Sequence, residues 1–301
     1  MAYIKLTELG KQFIRKICEG TGNSLLQGKS PYKIKDTSSR LYNPDGVLPF
    51  CNPETLPTKI WYANAKHGST NITTNQQLGE ALIDWFDKYG AIFEMDANII
   101  AAQAYTESGY ILWNYPLTST ASGISQITSN TMYSIVTANK FSSKPEYRFT
   151  DAEIAAITKG WNGSITDDDT YKVSLPIGRS NRPIIHQNIC DNPEIMIKAQ
   201  YNYMKFISSK CDGLASSALF GYNRGPYLPV TPSYTQSISN AKNPERGKDY
   251  ELEGIGYVYK IFQLLGNPKY APSKGWFGCT HLDLNAQYNS YNAEVAESIK
   301  T

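Results

Sequence analysis

Apolar residues recur along the chain at the spacing of one helix face, most clearly between Leu78 and Tyr89. Before this stripe, Thr74 and Gln77 stand three residues apart, which is the pattern of a capping box. Gly90 follows the stripe directly, in the position where a glycine commonly ends a helix. The pattern predicts a helix that begins after Thr74 and ends near Gly90.

Residues that commonly cap helices indicate where further helices begin. Asp96 opens a helical segment over about 97–108. Asn192, Pro193 and Glu194 combine a capping side chain, a proline at the first helical position and an acid in the first turn. The remaining helical patterns cover residues 6–17, a segment that begins near Ser129, residues 151–159 behind the capping box of Thr150 and Glu153, residues 214–222 and residues 252–265.

Two segments lack such periodicity. Residues 21–75 and 160–190 are rich in proline, glycine and polar residues, which is typical of irregular chain with at most short strands. The sequence therefore predicts a mainly α protein in which helices form the core.

Composition narrows the class of ligand. The 301 residues carry a net charge of +2, and charged residues make up only 19% of them. Polarity comes largely from neutral side chains, and 22 Tyr, 10 Phe and 5 Trp add many aromatic faces. Such a surface suits hydroxyl-rich ligands and lacks the basic stripe that nucleic acid requires, so we expect no nucleic-acid partner. No window is long and apolar enough for a membrane span.

Motifs for several common chemistries are missing from the sequence. The chain contains no GxSxG elbow, no GxxxxGK[ST] loop and no GxGxxG loop. Its five cysteines include no CxxC pair, and its three histidines stand apart from one another. We therefore expect neither a metal site nor a cofactor.

Glu107 is the residue with the most promising position. It lies at the end of the apolar segment that Asp96 opens, just before Ser108 and Gly109. A carboxyl group that emerges from apolar packing into a cleft keeps its proton more readily. This is the property that a general acid near neutral pH needs.

The surroundings of Glu107 belong to a wider pattern of four blocks in fixed order. The blocks are DANIIAAQAYTESG (96–109), ASGISQI (121–127), the pair NPEI (192–195) and FGYNRGP (220–226), and EGIGYV (253–258). Together they resemble the lysozyme-like lytic transglycosylases of the soluble-lytic-transglycosylase group, which are related to goose lysozyme. The chain departs from the family pattern at Ser125, Gly221 and Arg224, and at the pair Gly254-Ile255.

The resemblance implies a fold and a domain organisation. It implies a lysozyme-like α domain over residues 76–268 with an inserted loop and helix region at about 136–190. Residues 1–75 would form a partly irregular N-terminal extension, and residues 269–301 a C-terminal tail. We expect the insertion to lie beside the substrate cleft.

The resemblance also implies a site and a substrate. Glu107 would be the catalytic acid and base, and Tyr257 would lie beside it. The substrate would be the glycan strand of peptidoglycan, cleaved at the β-1,4 bond between N-acetylmuramic acid and N-acetylglucosamine. The expected substrate-binding residues are Ser108, Gln126, Tyr222, Asn223 and Tyr257. Aromatic residues after Glu107 offer faces for sugar rings, namely Tyr110, Trp113 and Tyr115.

The family uses one carboxylate, and the C6 hydroxyl of the substrate attacks its own C1 to leave a 1,6-anhydro end. The motif blocks here contain no obvious second acid beside Glu107. A hydrolytic muramidase is the alternative, since the fold could bring in a second carboxylate. The candidates are Asp96, Asp151, Glu253 and the run 167–169. A catalytically silent phage structural protein with the same fold is a third possibility.

The N-terminal 20 residues include Lys5, Glu8 and Arg15 and contain no uninterrupted apolar run, so they do not predict a secretory signal. Because bacteria normally export their own wall enzymes, we expect a phage protein made in the host cytoplasm. The favoured setting is a virion-associated lysin that contacts other virion proteins, and the second is a lysin released at lysis.

Overall fold

The computed structural model describes residues 2–19, 65–112, 121–138, 144–159, 188–210, 215–224, 248–266 and 276–279. In chain order the helices are α1 (Glu8–Cys18), α2 (Asn75–Phe93), α3 (Ala97–Ser108), α4 (Ser129–Ala138), α5 (Asp151–Thr158), α6 (Pro193–Ser208), α7 (Ala215–Arg224) and α8 (Lys248–Leu265). A short 3-10 helix covers Pro145–Tyr147. The described part of the chain is predominantly helical, as the sequence predicts.

Two small antiparallel hairpins complete the described elements. Strands β1 (Lys66–His67) and β2 (Thr70–Asn71) form the first, before α2. Strands β3 (Ala121–Ser122) and β4 (Ile127–Thr128) form the second, between α3 and α4. The second hairpin matters more for function because its turn lies in the second motif block.

Helix α3 lies in the middle of the core. It packs against α2 on one side and α8 on the other, and α6 joins α2 to α7 around it. Almost all of its side chains are buried, including Asn98 and Gln103. A helix enclosed in this way has no single apolar face, so its sequence pattern is weaker than that of α2.

Helix α2 begins as predicted and ends later than predicted. Thr74 and Gln77 make both hydrogen bonds of the capping box. Gly90, however, lies inside the helix, which continues to Phe93 and ends at Glu94 in a left-handed conformation. A Cβ at Gly90 would meet Ala97 Cβ at 3.3 Å, so the glycine permits close packing of α2 on the start of α3 rather than ending the helix.

The helical core extends beyond the predicted 76–268 boundaries. Phe13 of α1, assigned to the extension, packs against the rings of Trp276 and Phe277, assigned to the tail. Both Phe13 and Phe277 belong to the same buried cluster as the core helices. Parts of the chain on either side of the expected domain therefore help to build it.

Part of the predicted insertion packs on the end of α2. Tyr147 stacks on Phe93 with ring centroids 4.6 Å apart and accepts a hydrogen bond from Asn202 on its carbonyl oxygen. Phe93 is the last residue of α2, so this part of the insertion packs against the core. That the insertion borders the cleft stays a prediction, and residues 160–187 lie outside the described residues.

Within the described ranges, no helix combines the length and apolar character that crossing a membrane requires.

Candidate active site

Glu107 lies in the last turn of α3 and is half-buried. The helix ends because Gly109 adopts a left-handed conformation with φ of 64° and returns its N–H to the Tyr105 carbonyl. A glycine reaches this conformation without steric cost, so the chain turns away directly after the acid. The carboxyl group is therefore carried at the end of a rigid, buried helix.

Tyr257 approaches Glu107 from α8. Its hydroxyl donates to Glu107 Oε1 at 2.5 Å, and the side chain is 6% exposed. Burial raises the pKa of Tyr257 well above its ordinary value, and the negative charge of Glu107 adds to the effect. The phenol thus keeps its proton and acts as a hydrogen-bond donor to the carboxyl group.

The turn of the second hairpin carries Gln126. Ser122 pairs with Ile127, and the four residues between them form the turn. Gly123 and Gln126 both have positive φ, of 72° and 48°. The left-handed region is unfavourable for a residue with a Cβ, so the fold holds Gln126 there against its own preference. Gln126 Nε2 donates to Gly123 O at 2.8 Å, which closes the turn.

Two hydroxyl groups tie this turn to the helices around Glu107. Ser108 Oγ lies 2.7 Å from Ile124 O, and Tyr222 donates its hydroxyl to Ser125 O at 2.8 Å. Ser108 is 1% exposed and Tyr222 is 9% exposed. Both hydroxyls hold the turn in place, and direct contact of either with a sugar stays a prediction.

The remaining residues predicted to bind the sugar differ in their burial. Asn223 follows Tyr222 near the end of α7 and is half-buried. Tyr110 is wholly buried and donates its hydroxyl to Ala101 O at 3.0 Å. The interpretation of Tyr110 as a sugar-stacking residue is therefore wrong. Trp113 and Tyr115 lie outside the described residues.

Helix geometry removes one candidate for a second carboxylate. Asp96 caps the start of α3, and its side chain accepts from Asn98 N at 2.9 Å. Glu107 is at the other end of the same helix, roughly 16 Å away. That exceeds the separation of ~5–9.5 Å at which paired carboxylates work in glycosidases.

The distance argument does not apply to the other candidates for a second carboxylate. Asp151 is the first residue of α5 and is exposed. The run 167–169 falls outside the described residues. Glu253 precedes Tyr257 by one turn on α8, which keeps it the first residue to test.

Sequence reasoning missed a set of buried polar residues that connect the turn of the second hairpin to α6 and α3. Gln103, Gln200 and Ser125 are each 0% exposed, and their side chains are hydrogen-bonded to one another in series. Apolar periodicity predicts that the polar residues of a helix face solvent, so it could not identify Gln103 and Gln200 as buried. The only sequence feature that pointed to this set was Ser125, where the chain departs from the family pattern.

Within the described ranges, no three or more His, Cys, Asp or Glu residues are grouped so that they could hold a metal ion. No protein-family model, curated protein or solved structure matches the chain.

Proposed function

We propose that the protein cleaves the glycan strands of peptidoglycan at the β-1,4 bond between N-acetylmuramic acid and N-acetylglucosamine. The observation that carries the proposal is the contact of 2.5 Å between the Tyr257 hydroxyl and Glu107 Oε1. The first and last motif blocks place these two residues 150 positions apart in the chain, and they meet as a carboxyl group with a dedicated donor. The resemblance expects this pairing, and a carboxyl group held in this way can exchange a proton with a glycosidic oxygen.

The surroundings of Glu107 support a role in acid–base chemistry. The carboxyl group is half-buried at the end of an apolar helix, and Tyr257 donates to it. Tyr257 stabilises the carboxylate that forms after the proton has passed to the leaving oxygen. Glu107 then recovers a proton from the attacking hydroxyl and completes the cycle.

A 1,6-anhydro product is the preferred outcome. The C6 hydroxyl of N-acetylmuramic acid is tethered to the reacting C1, so its attack costs less entropy than that of a free water molecule. Deprotonation by Glu107 would make it the nucleophile without a second carboxylate. The position of Asp96 at the far end of α3 is consistent with this route.

The setting that best fits the proposal is a phage protein that reaches the cell wall as part of the virion or at lysis. Other virion proteins would be its partners in the first case.

The test is digestion of purified murein sacculi in water enriched in heavy oxygen, followed by mass spectrometry. The proposal predicts soluble fragments that carry no label and are one water lighter than hydrolysis products. Labelled reducing ends would identify a hydrolytic muramidase instead. Binding to sacculi without release of fragments would identify a catalytically silent protein.

A further inference from the structure

The peptide group between Ser125 and Gln126 is held by hydrogen bonds at both of its polar atoms. Its carbonyl oxygen, Ser125 O, accepts from the Tyr222 hydroxyl at 2.8 Å. Its nitrogen, Gln126 N, donates to Gly123 O at 3.3 Å. The φ angle of Gln126 describes the rotation directly after this peptide group, so the two bonds help to hold Gln126 at its unfavourable φ of 48°.

The side chain of Ser125 adds a third bond, to a different helix. Ser125 Oγ donates to Gln200 Oε1 at 2.8 Å, and both residues are 0% exposed. Gln200 belongs to α6, whereas Tyr222 belongs to α7. Ser125 is therefore fixed at its side chain by one helix and at its carbonyl group by another.

Helix α3 fixes the orientation of the Gln200 amide. Gln200 Nε2 lies 3.3 Å from Ile100 O, a backbone oxygen that can only accept, and 2.9 Å from Gln103 Oε1. Exchanging the amide nitrogen and oxygen would place two acceptors against each other at Ile100. Gln200 Oε1 therefore faces Ser125, whose hydroxyl must donate to it. Gln200 thus ties the turn to α3, the helix that carries Glu107.

We propose that Ser125 and Gln200 are positioning residues that hold Gln126 in the conformation in which it binds the sugar. The proposal rests on the function proposed above. Because Ser125 and Gln200 are wholly buried, neither can touch a glycan, and their effect on the substrate must pass through a neighbour. Gln126 is that neighbour, since it follows Ser125 directly and is partly exposed.

The experiment asks whether Ser125 acts through Gln126, with the full-length protein and soluble, uncross-linked glycan strands as substrate. Ser125→Ala removes the hydroxyl, so only backbone bonds still hold the turn. KM should rise about 3- to 10-fold, the size expected from one hydrogen bond, and kcat should stay the same. Gln126→Ala should raise KM at least as much. Adding Ser125→Ala to Gln126→Ala should cause no further rise, because the side chain that Ser125 positions is gone.

Asn202→Ala is the matched control for a loss of stability alone. Asn202 is 0% exposed on the same helix as Gln200, and it donates to Tyr147 O at 3.1 Å instead of to the turn. Both Asn202→Ala and Ser125→Ala should lower Tm, because each leaves a buried polar group without its partner. Only Ser125→Ala should raise KM. An equal rise of KM in both variants would mean a general loosening of the core and would overturn the positioning role.

The outcomes separate this inference from the proposed function. If the wild-type protein releases no fragments, the proposed function fails and the positioning role fails with it. If the wild-type protein is active but Ser125→Ala keeps the wild-type KM, or raises KM equally with and without Gln126, only the positioning role is overturned. Gln200→Met breaks the same bond from the helix side and replaces Ser125→Ala if that variant does not fold. It should raise KM in the same way, again with no further rise in Gln126→Ala.

Discussion

The Tyr257 hydroxyl donates to Glu107 Oε1 at 2.5 Å, and the proposed reaction makes different demands on the two protons. In that reaction the phenol keeps its proton to act as a donor, whereas the carboxyl group loses and regains one. Burial meets the first demand, since it raises the pKa of Tyr257 well above its ordinary value. The half-buried position of Glu107 leaves its carboxyl group within reach of a ligand.

Replacing Glu107 tests the acid directly. Glu107→Gln keeps the shape of the side chain but cannot donate a proton to the glycosidic oxygen. Release of fragments from sacculi should fall by at least the ~10²–10⁴-fold typical of losing general acid catalysis. Circular dichroism should show an unchanged fold. Glu146→Gln, at an exposed glutamate of the 3-10 helix, is the control and should keep full activity. Clearing of cell walls by Glu107→Gln at the wild-type rate would remove Glu107 from the mechanism.

Replacing Tyr257 tests the donor. Tyr257→Phe removes a hydrogen bond to a group that becomes charged, so the carboxylate form of Glu107 is less stabilised. The protonated, active form then persists to higher pH, and the alkaline limb of kcat should move up by about 1–2 pH units. The limb is not the titration of Tyr257 itself, because burial raises that pKa.

Tyr222→Phe is the matched control for Tyr257→Phe. Tyr222 is equally a buried tyrosine near Glu107, but its hydroxyl binds Ser125 O. This variant should lower Tm, since it leaves a buried carbonyl oxygen without its donor, and should leave the limb in place. Equal movement of the limb in both variants would contradict a specific role for Tyr257.

At the scale of elements, the turn between β3 and β4 is the least regular part of the site. Gln126 keeps a φ of 48° because both sides of the turn are held. Ser108 binds Ile124 O on one side, and Tyr222 binds Ser125 O on the other. The helices that carry Glu107 and Tyr222 thus force a conformation that the turn alone would avoid.

Replacing Gln126 with glycine should affect stability and activity in opposite directions. Gln126→Gly should raise or maintain Tm, because glycine relieves a left-handed conformation that costs of order 1–2 kcal/mol in other residues. Activity should fall, because the amide proposed to bind the sugar is gone. Gln126→Ala loses the amide while it keeps the strain, so it should be less stable than Gln126→Gly and equally impaired. Thermal melting and fragment release measure the two quantities. Full activity in both variants would exclude a role for the amide.

The sequence predicts most of the helices because their signals are local. Thr74 with Gln77 and Thr150 with Glu153 form capping boxes in the structure as they do in the pattern. The pattern places the end of α2 wrongly at Gly90, because a glycine can also allow two helices to pack closely. Whether it does so depends on the neighbouring segment and not on the local sequence. Long-range contacts are not encoded in a short window, and the same limit applied to Tyr110.

The candidate site shows the same division between local and distant signals. Glu107 follows from its block, and the pairing with Tyr257 followed only from the resemblance between blocks far apart in the chain. Gln103 and Gln200 lie on buried helix faces where a pattern expects apolar residues, so only their mutual contacts reveal them. Polar residues that satisfy each other are visible in three dimensions and not in periodicity.

At the scale of the whole molecule, α1 connects the two helices that carry Glu107 and Tyr257. Just before α1, Thr7 N donates to Asn98 of α3, and Thr7 Oγ1 donates to Phe277 O at 2.5 Å. Phe277 N in turn donates to Leu264 O near the end of α8 at 2.9 Å. Residues far from the motif blocks thereby fix the relative position of α3 and α8, and with it the contact between carboxyl group and phenol.

Two glycines on different helices test this connection. A Cβ at Gly10 in α1 would lie 2.6 Å from Phe277 Cδ1, whereas a Cβ at Gly79 in α2 would meet its nearest atom at an ordinary 3.5 Å. The Phe277 ring is wholly buried and packs against Phe13 with centroids 5.4 Å apart, so it cannot move aside freely. Gly10→Ala should therefore cost about 1–3 kcal/mol of unfolding free energy through overpacking, despite the better helix propensity of alanine. Gly79→Ala should instead stabilise the protein by up to about 1 kcal/mol.

Chemical denaturation of the two variants measures the difference, and fragment release shows whether it reaches the site. Because Phe277 binds the end of α8, displacement of its ring by Gly10→Ala should also shift Tyr257 relative to Glu107. The variant should lose kcat at a temperature where it is still folded, since a displacement of ~1 Å at a catalytic group can cost about 10²-fold. Gly79→Ala has no such connection and should keep its activity. If Gly10→Ala were as stable as Gly79→Ala, the packing of Phe277 on α1 would be refuted, and the chain ends would have no part in holding the site.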